Sequence, residues 1–250
     1  MSTRLAAPCA FLVTCEHGGK RIPAGYRDCF AGHEDLLQSH RGFDPGALGM
    51  ARDIARRLGA ALITSTISRL LVDLNRSPGH PRLYSDVIRR LPAERRQRIL
   101  EQHYLPYRAR AEVAIEHALA NGQRIMHISS HSFTPVLDGV KRTADVGLLY
   151  DPRRSGEAEL CKLWLASIKA RAPELRVRRN YPYRGNSDGF TAYLRRRFPA
   201  ENYIGIELEI NQALTLAGGL AWRRLRALLT ACLIQALDSK ACARIPSIHP

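Results

Sequence analysis

Glu16 and His17 stand directly after the apolar run AFLVTC, and His131 directly after RIMHISS. Two imidazoles and a carboxylate brought from separate strand ends match a catalytic zinc site, which takes three protein ligands and leaves a fourth position for water or substrate. Glu16, His17 and His131 are therefore the expected ligands of zinc or another divalent transition metal. One histidine in one sequence is more often a hydrogen-bonded core residue, but two at strand ends beside an acid tip the balance toward a metal. His127 is the weaker candidate, because it shares a face with His131 only if the strand stays regular over both.

Glu207 and Glu209 alternate with apolar residues in YIGIELEI. An uncompensated buried carboxylate is costly, and the two-residue period of a strand turns both side chains to one face. If that face meets the metal, one of the two is a natural general base. The competing reading is an ion pair with an arginine, weightier for Glu209 than for Glu207. Arg69, Asn75 and Arg76, with Asp73 among them, make a carboxylate clamp on paper: two forked cations and an amide near a strand end. Lys141, Arg142 and Arg184 add loop cations, a type more often solvated than functional; Arg142 is the one of them that joins Arg69, Asn75 and Arg76 as a substrate-binding candidate. The sequence has no Walker loop, no G-x-S-x-G elbow and no G-x-G-x-x-G, so nucleotide binding and serine-hydrolase chemistry have no support.

Ligands of open α/β sheets bind outside the carboxyl ends of the strands, so the elements before these residues matter. Strand-length apolar runs alternate with helical periods, the pattern of an α/β protein with a mixed sheet covered by helices on both faces. Strands are expected at 10–15, 61–67, 69–74, 124–130, 145–150, 175–178 and 203–210. Asp44 and Pro45 look like the N-cap and first-turn proline of a helix closed by Gly59. A longer helical stretch, 92–120, should break near Pro106. Further helices are expected at 156–171, 190–198 and 222–237. The chain reads as one domain over 1–250, with a helical insertion at about 83–122.

The 250 residues are 45% hydrophobic and 24% charged, which excludes a disordered chain. A net charge of +15 invites a nucleic-acid reading. However, 33 of the 38 basic residues are arginines spread along the whole chain, so no specific nucleic-acid partner is expected. The six cysteines show no C-x-x-C spacing and read as reduced thiols. No apolar run approaches the ~20 residues of a membrane span, and the amino-terminal stretch is too interrupted for a secretory signal. A cytoplasmic enzyme without membrane contact is the expectation; oligomeric state is not legible.

The same clusters carry a family resemblance. VTCEHGGKRIP, SRLLVDLNRSPGHP, HYLPYR, HISSHSFTPVLDGVKRTADVGLLYDP, NYPYRGNSDGFTAYLRR and YIGIELEINQ, in that order, resemble the N-formylglutamate amidohydrolase family over residues 11–212. The resemblance implies a metal-dependent hydrolase with a three-layer, phosphorylase/hydrolase-like α/β fold, distantly similar to zinc carboxypeptidases and aspartoacylases. In those relatives a His-x-x-Glu pair and a later His hold zinc, an Arg and an Asn-Arg pair bind the substrate carboxylate, and a Glu before Leu is the base. Arg69, Asn75-Arg76, His131 and Glu207-Leu208 match by position, which makes Glu207 the preferred base. The first motif departs, because Glu16 directly precedes His17 and no acid follows three residues later; Asp44 then competes with Glu16 as third ligand. The implied reaction is hydrolysis of a small anionic N-acyl amino acid, N-formyl-L-glutamate, to formate and L-glutamate, the last step of one histidine-degradation route. Carboxypeptidase-like cleavage of peptide or cell-wall fragments, and a basic binding protein without chemistry, are the alternatives.

Overall fold

The structure is a computed structural model that describes residues 8–239, so Cys242 lies outside it. In chain order the strands are β1 (Cys9–Cys15), β2 (Ala61–Thr64), β3 (Arg124–Phe133), the hairpin β4 (Val136–Leu137) and β5 (Val140–Lys141), β6 (Val146–Leu149), β7 (Val177–Arg179) and β8 (Tyr203–Asn211). The helices are α1 (Glu34–Gln38), α2 (Ala47–Leu58), α3 (Asp86–Arg89), α4 (Ala93–Ile99), α5 (Leu105–Ala120), α6 (Ser155–Arg171), α7 (Phe190–Arg197), α8 (Gln212–Leu216) and α9 (Gly219–Asp238).

Six strands form one sheet in the order β2-β1-β3-β8-β6-β7. All neighbours are parallel except β6, which runs antiparallel to β8. Strand alternation divides the apolar side chains between two cores. Val13, Ile128, Ile206 and Leu208 face Met50 and Ile54 of α2, Trp164 of α6 and Leu229 of α9. Leu12, Ile63 and Ile125 face Ala111 and Ile115 of α5 and Phe190 and Leu194 of α7. The three-layer α/β architecture is thus the one expected, and its second face carries the polar residues described below.

Two local expectations need correction and a third needs refinement. Residues 69–74 are turns, not a strand: Leu70, Leu71, Val72 and Leu74 are buried in the second core, and Asp73 N–H donates to Leu83 O across the loop. The helical stretch at 92–120 is interrupted just ahead of Pro106, as expected, but it does not end there. One π turn over Leu100–Tyr104 joins α4 to α5 and absorbs the missing N–H of the proline, which sits in the first turn of α5. Asp44 does not cap α2, whose N-cap is Gly46 at φ 84°; its carboxylate is engaged elsewhere. Gly59 closes α2 in the left-handed conformation as expected. No disulfide joins the cysteines, and no helix is long and apolar enough to cross a membrane, among the described residues.

Candidate metal centre and active site

Register brings the chemistry to one face of the sheet. On β3, His127, Ser129 and His131 alternate with the core residues Met126 and Ile128. On β8, Glu207 and Glu209 alternate with Ile206, Leu208 and Ile210. Ser129 pairs with Glu207 and His131 with Glu209. β1 ends beside them, and Glu16 and His17 follow it. Because β3 and β8 are parallel, His131 and Glu209 lie nearer the carboxyl ends, two residues beyond Ser129 and Glu207.

His17, Asp44 and His131 converge there, each buried, with one potential ligand atom apiece within 4.8 Å of the others. Asp44 Oδ2 is 2.9 Å from His131 Nδ1 and 3.3 Å from His17 Nδ1. The far side of each imidazole meets another acid. Asp73 Oδ1 is 2.7 Å from His17 Nε2, and Glu16 Oε2 is 3.0 Å from His131 Nε2. Two ring nitrogens facing one carboxylate, with each opposite nitrogen held by a further carboxylate, are the usual surroundings of histidine metal ligands. Asp44 therefore stands in the place expected for Glu16. Glu16 is instead locked behind His131 by Ser129 Oγ at 2.7 Å and Tyr107 OH at 2.9 Å, both donating. His127 shares the face but bonds Thr14 Oγ1 at 2.8 Å and Tyr203 OH at 2.7 Å, with no part in the group.

The charge balance calls for a cation. Glu16, Asp44, Asp73, Glu207 and Glu209 are all at most 7% exposed on this face, and Arg69 is the arginine paired among them, with Asp73 Oδ2 at 2.7 Å and Asp44 Oδ1 at 3.3 Å. Burial opposes ionisation of Glu16, Asp44 and Asp73. Their histidine and Arg69 partners outweigh it and hold all three carboxyls well below the usual range. Burial also works against a proton on His131, but its bonds to Asp44 and Glu16 raise its pKa well above the ordinary value. That proton occupies the place in the charge balance that a divalent ion fits.

The two glutamates of β8 differ. Thr191 Oγ1, in the first turn of α7, donates to Glu207 Oε1. Glu209 Oε2 is buried without a hydrogen-bond partner among the described residues. Burial, with the neighbouring carboxylates of Asp44 and Glu207, pushes Glu209 up to about 8. Glu209, opposite His131, thus keeps an unpartnered carboxylate oxygen, whereas Glu207, the base preferred from the sequence, accepts a hydrogen bond from Thr191. Gly147 lies across from Glu209 on β6, where a Cβ would come 2.0 Å from Tyr181 O; glycine there lets the 180–190 loop close over the strand ends.

That loop and residues 69–77 form the clamp. Phe190 N–H donates to Asn75 Oδ1 at 2.5 Å, leaving its amide nitrogen 3.5 Å from His131 Nε2. Arg76 Nη1 donates to Asp188 O at 2.6 Å, and Asp188 Oδ2 accepts from Ser77 N–H at 3.0 Å. Beneath them, Arg108 is buried among Tyr104, Phe190 and Tyr193 at 4.6–4.9 Å from each ring centre. Its Nη2 donates to Leu74 O and Arg76 O, and Tyr104 OH also donates to Arg76 O, at 2.7 Å. Tyr104, Tyr107 and Arg108 were missed as supports, although their i, i+3, i+4 spacing places them on one helix face. Arg142 is buried beside Tyr183, not solvated as its loop position suggested, while Arg184 stays exposed.

Comparison with known proteins places the fold and the family. Among solved structures, a gene product of Agrobacterium tumefaciens is 30% identical at a TM-score of 0.80, over 93% of this chain and 92% of that one. N-formylglutamate amidohydrolase from Ralstonia eutropha JMP134 shares the fold, with a TM-score of 0.66 and 22% identity over 92% of this chain and 95% of that one. No curated protein matches in sequence. The family model described as N-formylglutamate amidohydrolase matches residues 9–216, and the chain belongs to that family of amidohydrolases.

Proposed function

We propose that the protein is a zinc-dependent amidohydrolase that cleaves N-formyl-L-glutamate to formate and L-glutamate, in a cytoplasmic route of histidine degradation. The observation that carries this reading is the buried His17–Asp44–His131 group with the unpartnered Glu209 carboxylate paired across from His131. His17 and His131 would hold the ion through Nδ1 and Asp44 through Oδ2, while Asp73 and Glu16 fix the two rings. A bound divalent ion supplies Lewis acidity toward the amide carbonyl and makes water nucleophilic at neutral pH.

The remaining work falls to the chain's own groups. Glu209 Oε2 accepts the proton of the attacking water and returns it to the departing nitrogen, a role suited to a carboxylate whose pKa burial has raised. Asn75 and Arg76 hold the α-carboxylate, and Arg69, pinned by Asp44 and Asp73, faces charge developing on the carbonyl oxygen. Glu207, tied to Thr191, fixes the start of α7 and with it the loop on which Asn75 and Arg76 lean. The substrate is a small molecule, and no nucleic acid or membrane takes part. Formate release from N-formyl-L-glutamate by the purified protein tests the reading, with N-acetyl-L-glutamate and short peptides as competitors. Turnover of peptides without turnover of the formyl substrate would refute it.

A further inference from the structure

Phe133 lies two residues beyond His131 on β3 and therefore on the same face. The β4–β5 hairpin turns the chain back from it, and Arg142 follows, its N–H donating to Pro135 O at 2.8 Å. The Arg142 guanidinium lies over Tyr183 at 4.9 Å and over Phe133 at 5.8 Å, and the residue is 8% exposed. Phe133 shares the strand face of His131, and Tyr183 belongs to the 180–190 loop that closes over the strand ends at Gly147, across from Glu209. These links place Arg142 beside the clamp and the metal group.

The guanidinium is almost unspent. Arg69 and Arg195, also largely buried, each hold a carboxylate, and Arg108 gives Nη2 to two carbonyls. Arg142 has no acid within ion-pair distance among the described residues, and its side-chain hydrogen bond is a long one, 3.5 Å to Thr134 O. Its Nε and Nη2 remain available, although a guanidinium carries five donors. Burying a cation without an anion is costly, and two aromatic faces offset only part of that cost. Ring contacts engage none of the N–H groups, so Nε and Nη2 stay free to grip a carboxylate in two parallel bonds.

We infer that Arg142, lying over Tyr183 and Phe133, is a second carboxylate subsite that takes the acidic side chain of the substrate, so that the site selects N-acyl dicarboxylic amino acids over neutral ones. The inference rests on the amidohydrolase reading, with the α-carboxylate on Asn75 and Arg76. The test compares kcat/KM on N-formyl-L-glutamate and on its neutral isostere N-formyl-L-glutamine, for wild type and for Arg142→Gln. Losing one partner of a buried, hydrogen-bonded charge pair costs on the order of 10²-fold or more. Wild type should favour the acid by that order, and Arg142→Gln should bring the two substrates within about tenfold by slowing only the acid. Arg142→Lys, which keeps charge but not the fork, should fall between. Equal losses on both substrates, or no preference in wild type, would overturn the assignment.

A binding arm separates this inference from the reading beneath it. Calorimetric titration of the purified protein with glutarate and with butyrate needs no turnover. Glutarate should weaken about tenfold or more in Arg142→Gln while butyrate is unchanged, and unchanged glutarate affinity would overturn the subsite. If wild type released no formate yet showed this glutarate loss, the reaction would be wrong and the subsite right.

Discussion

Replacing Glu209 by Gln should abolish turnover while making the protein more stable. The side chain keeps its volume but cannot take a proton, and loss of a general base commonly costs on the order of 10²- to 10⁴-fold in rate. Metal content and KM should stay nearly unchanged. Stability moves the other way, because Glu209 is 6% exposed, its Oε2 has no partner, and burial lifts its pKa from 4.5 to about 8. Between these values the folded protein binds the extra proton and the unfolded chain does not, so ionised Glu209 subtracts stability increasingly as pH rises through that window. At about 1.4 kcal/mol per pKa unit, the penalty reaches a few kcal/mol above pH 8 and vanishes below pH 4.5. Urea unfolding of chelator-stripped protein should show Glu209→Gln matching wild type near pH 4 and exceeding it at pH 9, alongside its loss in kcat. Glu207→Gln keeps an acceptor for Thr191 and should cost at most about tenfold in rate. An active Glu209→Gln beside a dead Glu207→Gln would show that the base was assigned to the wrong glutamate.

The other expected outcomes are each read by a simple measurement. Asp44→Ala and His131→Ala should lose bound metal, whereas Glu16→Gln should retain most of it and weaken affinity by roughly 10- to 100-fold, as loss of an outer-shell partner does; full metal content in Asp44→Ala, read by elemental analysis, would remove Asp44 from the ligand set. His127 is buried and neutral, its pKa held at about 4 by burial, so stability complete above pH 6.5 should be lost as pH falls through 4. His127→Gln should lessen that acid loss by about 3 kcal/mol in urea unfolding, and an identical pH profile for both proteins would contradict it. Arg108→Lys should raise KM about tenfold or more with a smaller change in kcat, because it loosens the carbonyls of Leu74 and Arg76 without touching the base; a pure kcat loss would contradict that role. Binding to duplex DNA should be weak and gone at moderate salt, and sequence-selective, salt-resistant retention in a filter assay would overturn it.

What the sequence made legible and what it hid differ by the range of the signal. The alternation of apolar runs and helical periods gave the layers, because strand and helix patterns are local. The two-residue period likewise put Glu207 and Glu209 on one face. It could not say which of them meets His131, because that depends on the β3–β8 register over more than 70 residues of chain. Asp44 shows the same limit: an acid before proline reads as a helix cap, and only folding brings it to His131, 87 residues away. Glu16 reads as a ligand through its adjacency to His17; in the fold its carboxylate accepts from Ser129 and Tyr107 and lies 3.0 Å from His131 Nε2, while Asp44 lies between the two imidazoles. Residues 69–74 misled through apolar composition alone, since buried turns need apolar side chains as much as strands do.

The most direct measurement is formate release from N-formyl-L-glutamate, followed on one purified sample before chelation, after chelation and after zinc is restored, with metal counted at each stage. About one ion per chain at the outset, loss of turnover with loss of the ion, and recovery on adding zinc are predicted. Undiminished formate release from the metal-free protein would contradict the assignment of His17, Asp44 and His131 as the centre of the reaction.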